Sequence, residues 1–180
     1  MITIDGGTGK VLHNGVDIAS RIMIDQWRRN AALSTSGGQN FLTTDWERVD
    51  GTGQGVFIPG GGMTESGGIF TFPMTGIYKV EWQAYAEDTD GSASNSINVY
   101  VTTNNSDYNS VGIVRTDVPD GAGETGSSFF LFDVTNTSTH KVRFTVTGMS
   151  DGSSKIKGDT NYNQTAFIFQ KLNKSIMEMI

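Results

Sequence analysis

Few residues of this chain have the types and spacing that chemistry requires, and they are scattered. Asp88-Thr89-Asp90-Gly91-Ser92 starts like an oxygen-ligand calcium loop, but the further Asp or Asn and the closing Glu of such a ligand shell do not follow. Asp-Gly between two alternating apolar runs is first a turn signal. No metal or cofactor is therefore expected, and Asp88 and Asp90 are the one alternative to that expectation. Glu65 and Glu124 could join them as the acid and base of a glycosidase, yet each lies in a Gly/Ser/Thr turn, where a carboxylate caps backbone or keeps the loop solvated. His13 and His140 have no Ser, Cys or second His nearby in sequence, and a turn histidine such as His140 is expected to be solvated. Gly6-Gly7-Thr8-Gly9-Lys10 lacks the spacing of a phosphate loop, with Val11 where Ser or Thr is needed. The chain is expected not to be an enzyme.

Composition points to the elements that carry these residues. The chain has 180 residues, with 23 glycines, no cysteine and abundant Thr, Ser and Asn, which suits many short strands joined by tight turns. That length fits one domain with extensions, able to bury ~70% of its unfolded surface. Without disulfides, stability must come from the core, from oligomerisation, or from both. The net charge of −6 leaves no basic footprint for nucleic acid. The one dense basic pair, Arg28-Arg29, would send its side chains to opposite faces of a strand. The first ten residues lack the charged start and apolar run of a secretory signal, and no segment approaches the ~20 apolar residues of a membrane span. The expectation is synthesis in the cytoplasm without membrane insertion, and exit, if any, by release of assembled particles on lysis.

The organising stretch is 68–87, GIFTFPMTGIYKVEWQAYAE. Pro73 ends a short strand and Gly76, free to take positive φ, follows a corner. A long strand then opens with Tyr78, Val80, Trp82, Ala84 and Ala86 on one side and Lys79, Glu81 and Gln83 on the other. Before it, residues 1–26 read as an arm, with Ile2, Ile4, Val11, Leu12, Val16 and Ile18 among glycines. Pieces this small need a partner surface, either strand addition to a neighbour's edge or none at all, in which case they stay disordered. Residues 17–26 fit helix or strand, a short turn or helix to about Asp25 being preferred, followed by a first sandwich strand over 27–33. Runs at 41–49, 97–102, 111–118, 128–134, 141–147 and 165–172 complete an all-β sandwich of about ten strands over 27–172, jelly-roll order being favoured. A tail at 173–180 either docks or frays.

Some strands are apolar on both faces. Phe129 and Leu131 oppose Phe130 and Phe132, Ala166 and Ile168 oppose Phe167 and Phe169, and Ile77 and Tyr85 add apolar surface to the outer side of the long strand. Such a sheet must be covered twice, by its partner sheet and by something outside it. The cover is either another copy of the chain or the amino-terminal segment folded back.

The corner Gly68-x-Phe70-x-x-Pro73-x-x-Gly76-x-Tyr78 resembles the signature of the tumour necrosis factor and complement globular-head superfamily. Trp27-Arg28, Trp46-Glu47-Arg48 and Gly62-Met63-Thr64-Glu65-Ser66-Gly67 resemble small jelly-roll proteins of marine bacteriophages. The first resemblance implies a trimer whose three-fold axis faces the sheet of the first, last and long central strands, with Ile77, Tyr85, Phe130, Phe132, Phe167 and Phe169 at the interface. It brings no catalytic residues. The two together imply a virion protein, a trimeric knob on capsid or tail assembled in the host cytoplasm and held to other virion proteins by its arm. A tail-fibre tip binding a host receptor or surface glycan through loop aromatics such as Tyr108 and Tyr162 is the alternative. A secreted ligand of the same fold is a third, weakened by the missing signal.

Overall fold

Every regular element among the described residues is a strand, as short Val/Ile/Thr/aromatic runs punctuated by Gly, Asn and Asp dictate. The computed structural model describes residues 1–7, 11–13, 16–17, 23–34, 37–51, 61–89, 93–149 and 153–172. The strands are β1 (Ile2–Ile4), β2 (Val11–His13), β3 (Val16–Asp17), β4 (Met23–Arg29), β5 (Leu33–Ser34), β6 (Gln39–Phe41), β7 (Trp46–Arg48) and β8 (Thr64–Ser66). They continue with β9 (Ile69–Thr71), β10 (Gly76–Glu87), β11 (Ala93–Thr102), β12 (Asn109–Val118), β13 (Gly123–Val134), β14 (Lys141–Thr147), β15 (Lys155–Ile156) and β16 (Ala166–Lys171).

Two sheets make the sandwich. One runs β5-β15-β10-β16-β4-β7, with β13 along the other side of β10; the second runs β12-β11-β14-β9-β8, with β6 also on β14. The chain passes from β9 to β10, from β10 to β11, from β12 to β13 and from β13 to β14 by changing sheets each time. First and last long strands, β4 and β16, lie side by side. This is jelly-roll order, as expected. The arm strands β1, β2 and β3 form a separate three-stranded antiparallel sheet.

Period-two alternation fills the space between the sheets. Tyr78, Val80, Trp82, Ala84 and Ala86 of β10 are all buried, facing Ile97, Val99, Phe144 and Val146 of the opposite sheet. Phe167 meets Phe144 at 4.3 Å and Trp46 at 4.7 Å, while Phe70 meets Trp46 at 4.8 Å and Phe169 at 5.0 Å. Gly112 has no side chain because Trp82 fills its place: a Cβ there would lie 2.6 Å from the indole. At the corner Gly76 takes φ 142°, as expected from its place after Pro73.

The first sandwich strand departs from expectation. It runs from Met23 to Arg29, so residues 23–25, read as the end of a turn or helix, are strand. The reason is tertiary: Asp25, fully buried, accepts from Arg48 Nε at 3.0 Å and from the Met63 amide at 2.7 Å, which needs an extended backbone beside β7. Residues 41–49, expected as one strand, are two in opposite sheets, β6 on β14 and β7 on β4. Asp45, at φ 60°, lies in the crossing, and Arg29 ties that crossing down through Thr44 O and the Asp45 carboxylate. The two-residue β15 and β5 carry too little pattern to be seen in sequence. Ile18 and the tail 173–180 lie outside the described residues.

Arg48→Met would leave Asp25 charged and buried without its partner and is expected to lower stability by about 3–5 kcal/mol. The double variant Asp25→Leu/Arg48→Met removes both charges and should recover much of that loss. Urea unfolding of the two variants checks the difference. Phe167→Ala, in the same assay, is expected to cost about 3–5 kcal/mol.

Candidate interaction surface

Of the residues singled out for chemistry, Asp88, Glu65 and His140 hold loops. Asp88 is buried and accepts from Ser153 Oγ at 3.2 Å and Ser154 Oγ at 2.7 Å, tying the end of β10 to the segment before β15. Asp90 lies outside the described residues. Glu65 accepts from the Gly68 amide at 2.6 Å across the β8–β9 turn, and Glu124 is exposed on β13. Among the described residues no group of three or more His, Asp or Glu is placed to hold a metal ion. His140 corrects an expectation. It is buried rather than solvated, stacked on Phe132 at 5.5 Å with Thr135 Oγ1 and Thr139 Oγ1 against its two ring nitrogens. The side chains of His13 and Val16 lie outside the described residues.

Among the described residues, the most exposed large apolar side chains of the sandwich strands lie on the outer face of the seven-stranded sheet. Ladder register defines it, because residues paired across antiparallel strands share a face. Phe129 pairs with Glu81, Glu81 with Ile168, and Ile168 with Gln26. The next row is Leu131, Lys79, Gln170 and Ile24. Phe129 is 59% exposed and Leu131 55% exposed. Lys79 binds Glu81 at 2.6 Å and stands 5.0 Å from the Phe129 ring, so these two charges are matched on the face itself. Beside them, Gln26, Glu81, Gln83, Ser127, Ala166 and Ile168 border a hollow of about 170 Å³.

This register inverts part of the expected interface. Tyr78 pairs with Phe132, Val80 with Phe130 and Phe169, and Trp82 with Phe167. Phe132, Phe167 and Phe169 are therefore buried in the chain's own core and Phe130 packs against it, so none of the four is an outward contact. The outward aromatic and aliphatic residues are their sequence neighbours Phe129, Leu131 and Ile168. Ile77 and Tyr85 do lie on the outer face, both half-buried. The Tyr85 ring leans over β13 where Gly123 leaves room, since a Cβ there would come within 2.3 Å of the phenol oxygen. Two-sided apolarity in 128–134 was visible in the sequence, but which side faced the core was not.

The arm is placed with its apolar residues outward. Ile2 is 68% exposed, Ile4 72% exposed, and Val11 is also exposed, with Leu12 half-buried. Of the loop aromatics, Tyr162 is exposed and Tyr108 is half-buried, its ring centroid 3.8 Å from the Arg143 guanidinium carbon.

The sandwich is similar to the crystal structure of murine APRIL at pH 5.0, with a TM-score of 0.59 and 15% identity over 84% of this chain and 99% of that one. It is also similar to the Eiger TNF from S. frugiperda, with a TM-score of 0.60 and 14% identity over 84% of this chain and 93% of that one. The fold is a TNF-like jelly roll. No protein-family model and no curated protein sequence matches the chain. Within the TNF-like sandwich, the sheet with the exposed Phe129 and Leu131 is the one that holds the first, last and long central strands.

Asp88→Ala would remove the carboxylate that accepts from the Ser153 and Ser154 hydroxyls, and is expected to lower stability by about 1–3 kcal/mol. Thermal melting of the unaltered protein should give the same midpoint with and without a chelator, because Asp88 is already engaged by Ser153 and Ser154. A fall of many degrees on chelation would reinstate Asp88 and Asp90 as ligands.

Proposed function

We propose that this chain is a structural protein of a bacteriophage virion, a homotrimeric knob whose seven-stranded sheet packs against its own copies and whose arm fixes it to other virion proteins. The observation that carries the trimer is the exposure of Phe129 and Leu131 on β13, a 12-residue strand that among the described residues has a ladder to β10 alone. A long edge strand with large apolar side chains invites pairing and aggregation in a lone subunit. Full burial of such a side chain stabilises by about 1.5–3 kcal/mol, and both are more than half exposed. Self-matched charges at Lys79 and Glu81 remove the repulsion that identical surfaces would otherwise meet. A second copy is the simplest cover, because closed symmetric assemblies are the commonest oligomers.

Supporting the particle are the phage-like segments at 27–28, 46–48 and 62–67, and an arm that is an open-edged sheet with Ile2 and Ile4 in solvent. An open edge carries unpaired amides and carbonyls in register, so a partner strand binds by main-chain hydrogen bonds while a few apolar side chains set its position.

Light scattering of the full chain at micromolar concentration should report three copies. Phe129→Ser is expected to weaken association by about tenfold or more while leaving the monomer's melting transition in place. A wild-type monomer across that range would sink the trimer. Deleting residues 1–17 should leave the sandwich folded and trimeric but abolish its incorporation when mixed with particles that lack the protein. Equal numbers of bound copies for intact and shortened chains would refute the anchor.

A further inference from the structure

The outer face of the six-stranded sheet, away from the surface assigned to the trimer, carries a cation with no acceptor among the described residues. Arg143 on β14 pairs with Tyr100 of β11 and Ile69 of β9 across the ladders, so its side chain stands on the solvent side. Its guanidinium carbon lies 4.2 Å from the Phe41 ring centroid, 3.8 Å from that of Tyr108 and 6.0 Å from that of Tyr100. The other three arginines that are buried or half-buried among the described residues each bind a carboxylate: Arg28 with Glu47, Arg29 with Asp45 and Arg48 with Asp25. Arg143 binds none among the described residues, and its Nε is buried with no hydrogen-bond partner. The rings around it hold the guanidinium in place without using any of its five donors. A fixed guanidinium with its donors unspent suits a planar two-oxygen anion.

A cleft adjoins it. Phe41, Thr43, Gly67, Gly68, Ile69 and Arg143 border a space of about 160 Å³. Its floor is narrow because Gly68, at φ 81°, brings the β8–β9 turn against Leu42 so closely that a Cβ would lie 2.1 Å from the Leu42 carbonyl oxygen. The volume is below the ~300 Å³ of sites that enclose a drug-sized ligand, so it takes one ring or one acidic terminus of something larger. Phe41 is 42% exposed and keeps part of its ring surface open, and Thr43 adds an exposed hydroxyl. An aromatic surface, a hydroxyl and a forked cation together match a sugar that carries a carboxylate. Its C–H face packs on the ring, its hydroxyls meet Thr43 and the turn backbone, and its carboxylate meets the guanidinium. An acidic peptide would use the cation but would leave the aromatic face and Thr43 without a role.

We propose that this cleft is a binding site for a carboxylate-bearing sugar, with Arg143 as the anion receptor and Phe41 as the ring platform. The assignment is independent of the trimer, since it uses the opposite sheet.

The test follows the Arg143 Nε–H and the backbone amides of the ¹⁵N-labelled full chain by NMR during titration with glucuronate, glucose, acetate and a short oligo-aspartate peptide. Glucuronate should give saturable shifts confined to Arg143, Phe41, Thr43 and the 67–69 turn. Glucose should give none, and acetate should bind at least about tenfold more weakly, the scale set by losing the ring contacts. Arg143→Gln should weaken glucuronate by at least about tenfold, as losing a hydrogen bond to a charged group does. Thr43→Val, on an exposed position that cannot affect the core, provides a second variant and should weaken glucuronate but not acetate. The proposal is overturned by the absence of saturable shifts, by acetate binding as tightly as glucuronate, or by the peptide binding more tightly than the sugar.

Discussion

Phe167 touches Phe144 across the sandwich at 4.3 Å and Trp46 at 4.7 Å, and the separation of the two sheets follows from that contact. Phe167 sits on β16, which arrives last in the chain and inserts between β4 and β10. Until it does, β4 and β7 have no ladder to the rest of their sheet. The aromatic cluster of Phe70, Phe144, Phe167 and Phe169 with Trp46 thus depends on the longest-range pairing in the molecule. Each large ring buried there also excludes its strand from any other register, because a slip of one residue would bring Phe167 out and Ile168 in.

Polar groups inside this core act as fasteners where the chain crosses between sheets. Asp25 with Arg48 and the Met63 amide holds the start of β4 to the approach to β8, and Gly62 is needed there because a Cβ would come within 2.5 Å of the carboxylate. Arg29 bonds Thr44 O and Asp45 at the β6–β7 crossing. Burial pulls the Arg29 guanidinium below its ordinary pKa, and Asp45 offsets part of that pull. His140 between two threonine hydroxyls fastens the β13–β14 turn in the same way. Each of these bonds offsets part of the cost of burying a polar group, although the Arg29 Nε is buried with no hydrogen-bond partner among the described residues.

The same architecture leaves the two outer faces with different characters. On the seven-stranded sheet Phe129 and Leu131 are exposed beside a Lys79–Glu81 ion pair, which favours association with a like surface. On the six-stranded sheet a cation is held by aromatic rings and has no counter-charge among the described residues. The two surfaces point away from each other, so self-association through one leaves the other accessible.

By itself the sequence determined the class of fold, because period-two alternation in 78–86, 97–101 and 142–146 and the glycine and proline at the corner are local properties of the chain. The Asp88 bonds to Ser153 and Ser154 are not such a property, since the serines lie 65 and 66 residues away in sequence. Only the tertiary structure decided which face of 129–132 and of 166–169 is buried. Alternation shows that neighbours point oppositely, but both sides of these strands are apolar, so the pattern is symmetric and the register of β13 and β16 against β10 has to break it. The burial of His140 and the gathering of Phe41, Tyr100, Tyr108 and Arg143 had no signal in the sequence for a related reason. Each depends on partners that lie far along the chain and become neighbours only when the two sheets close.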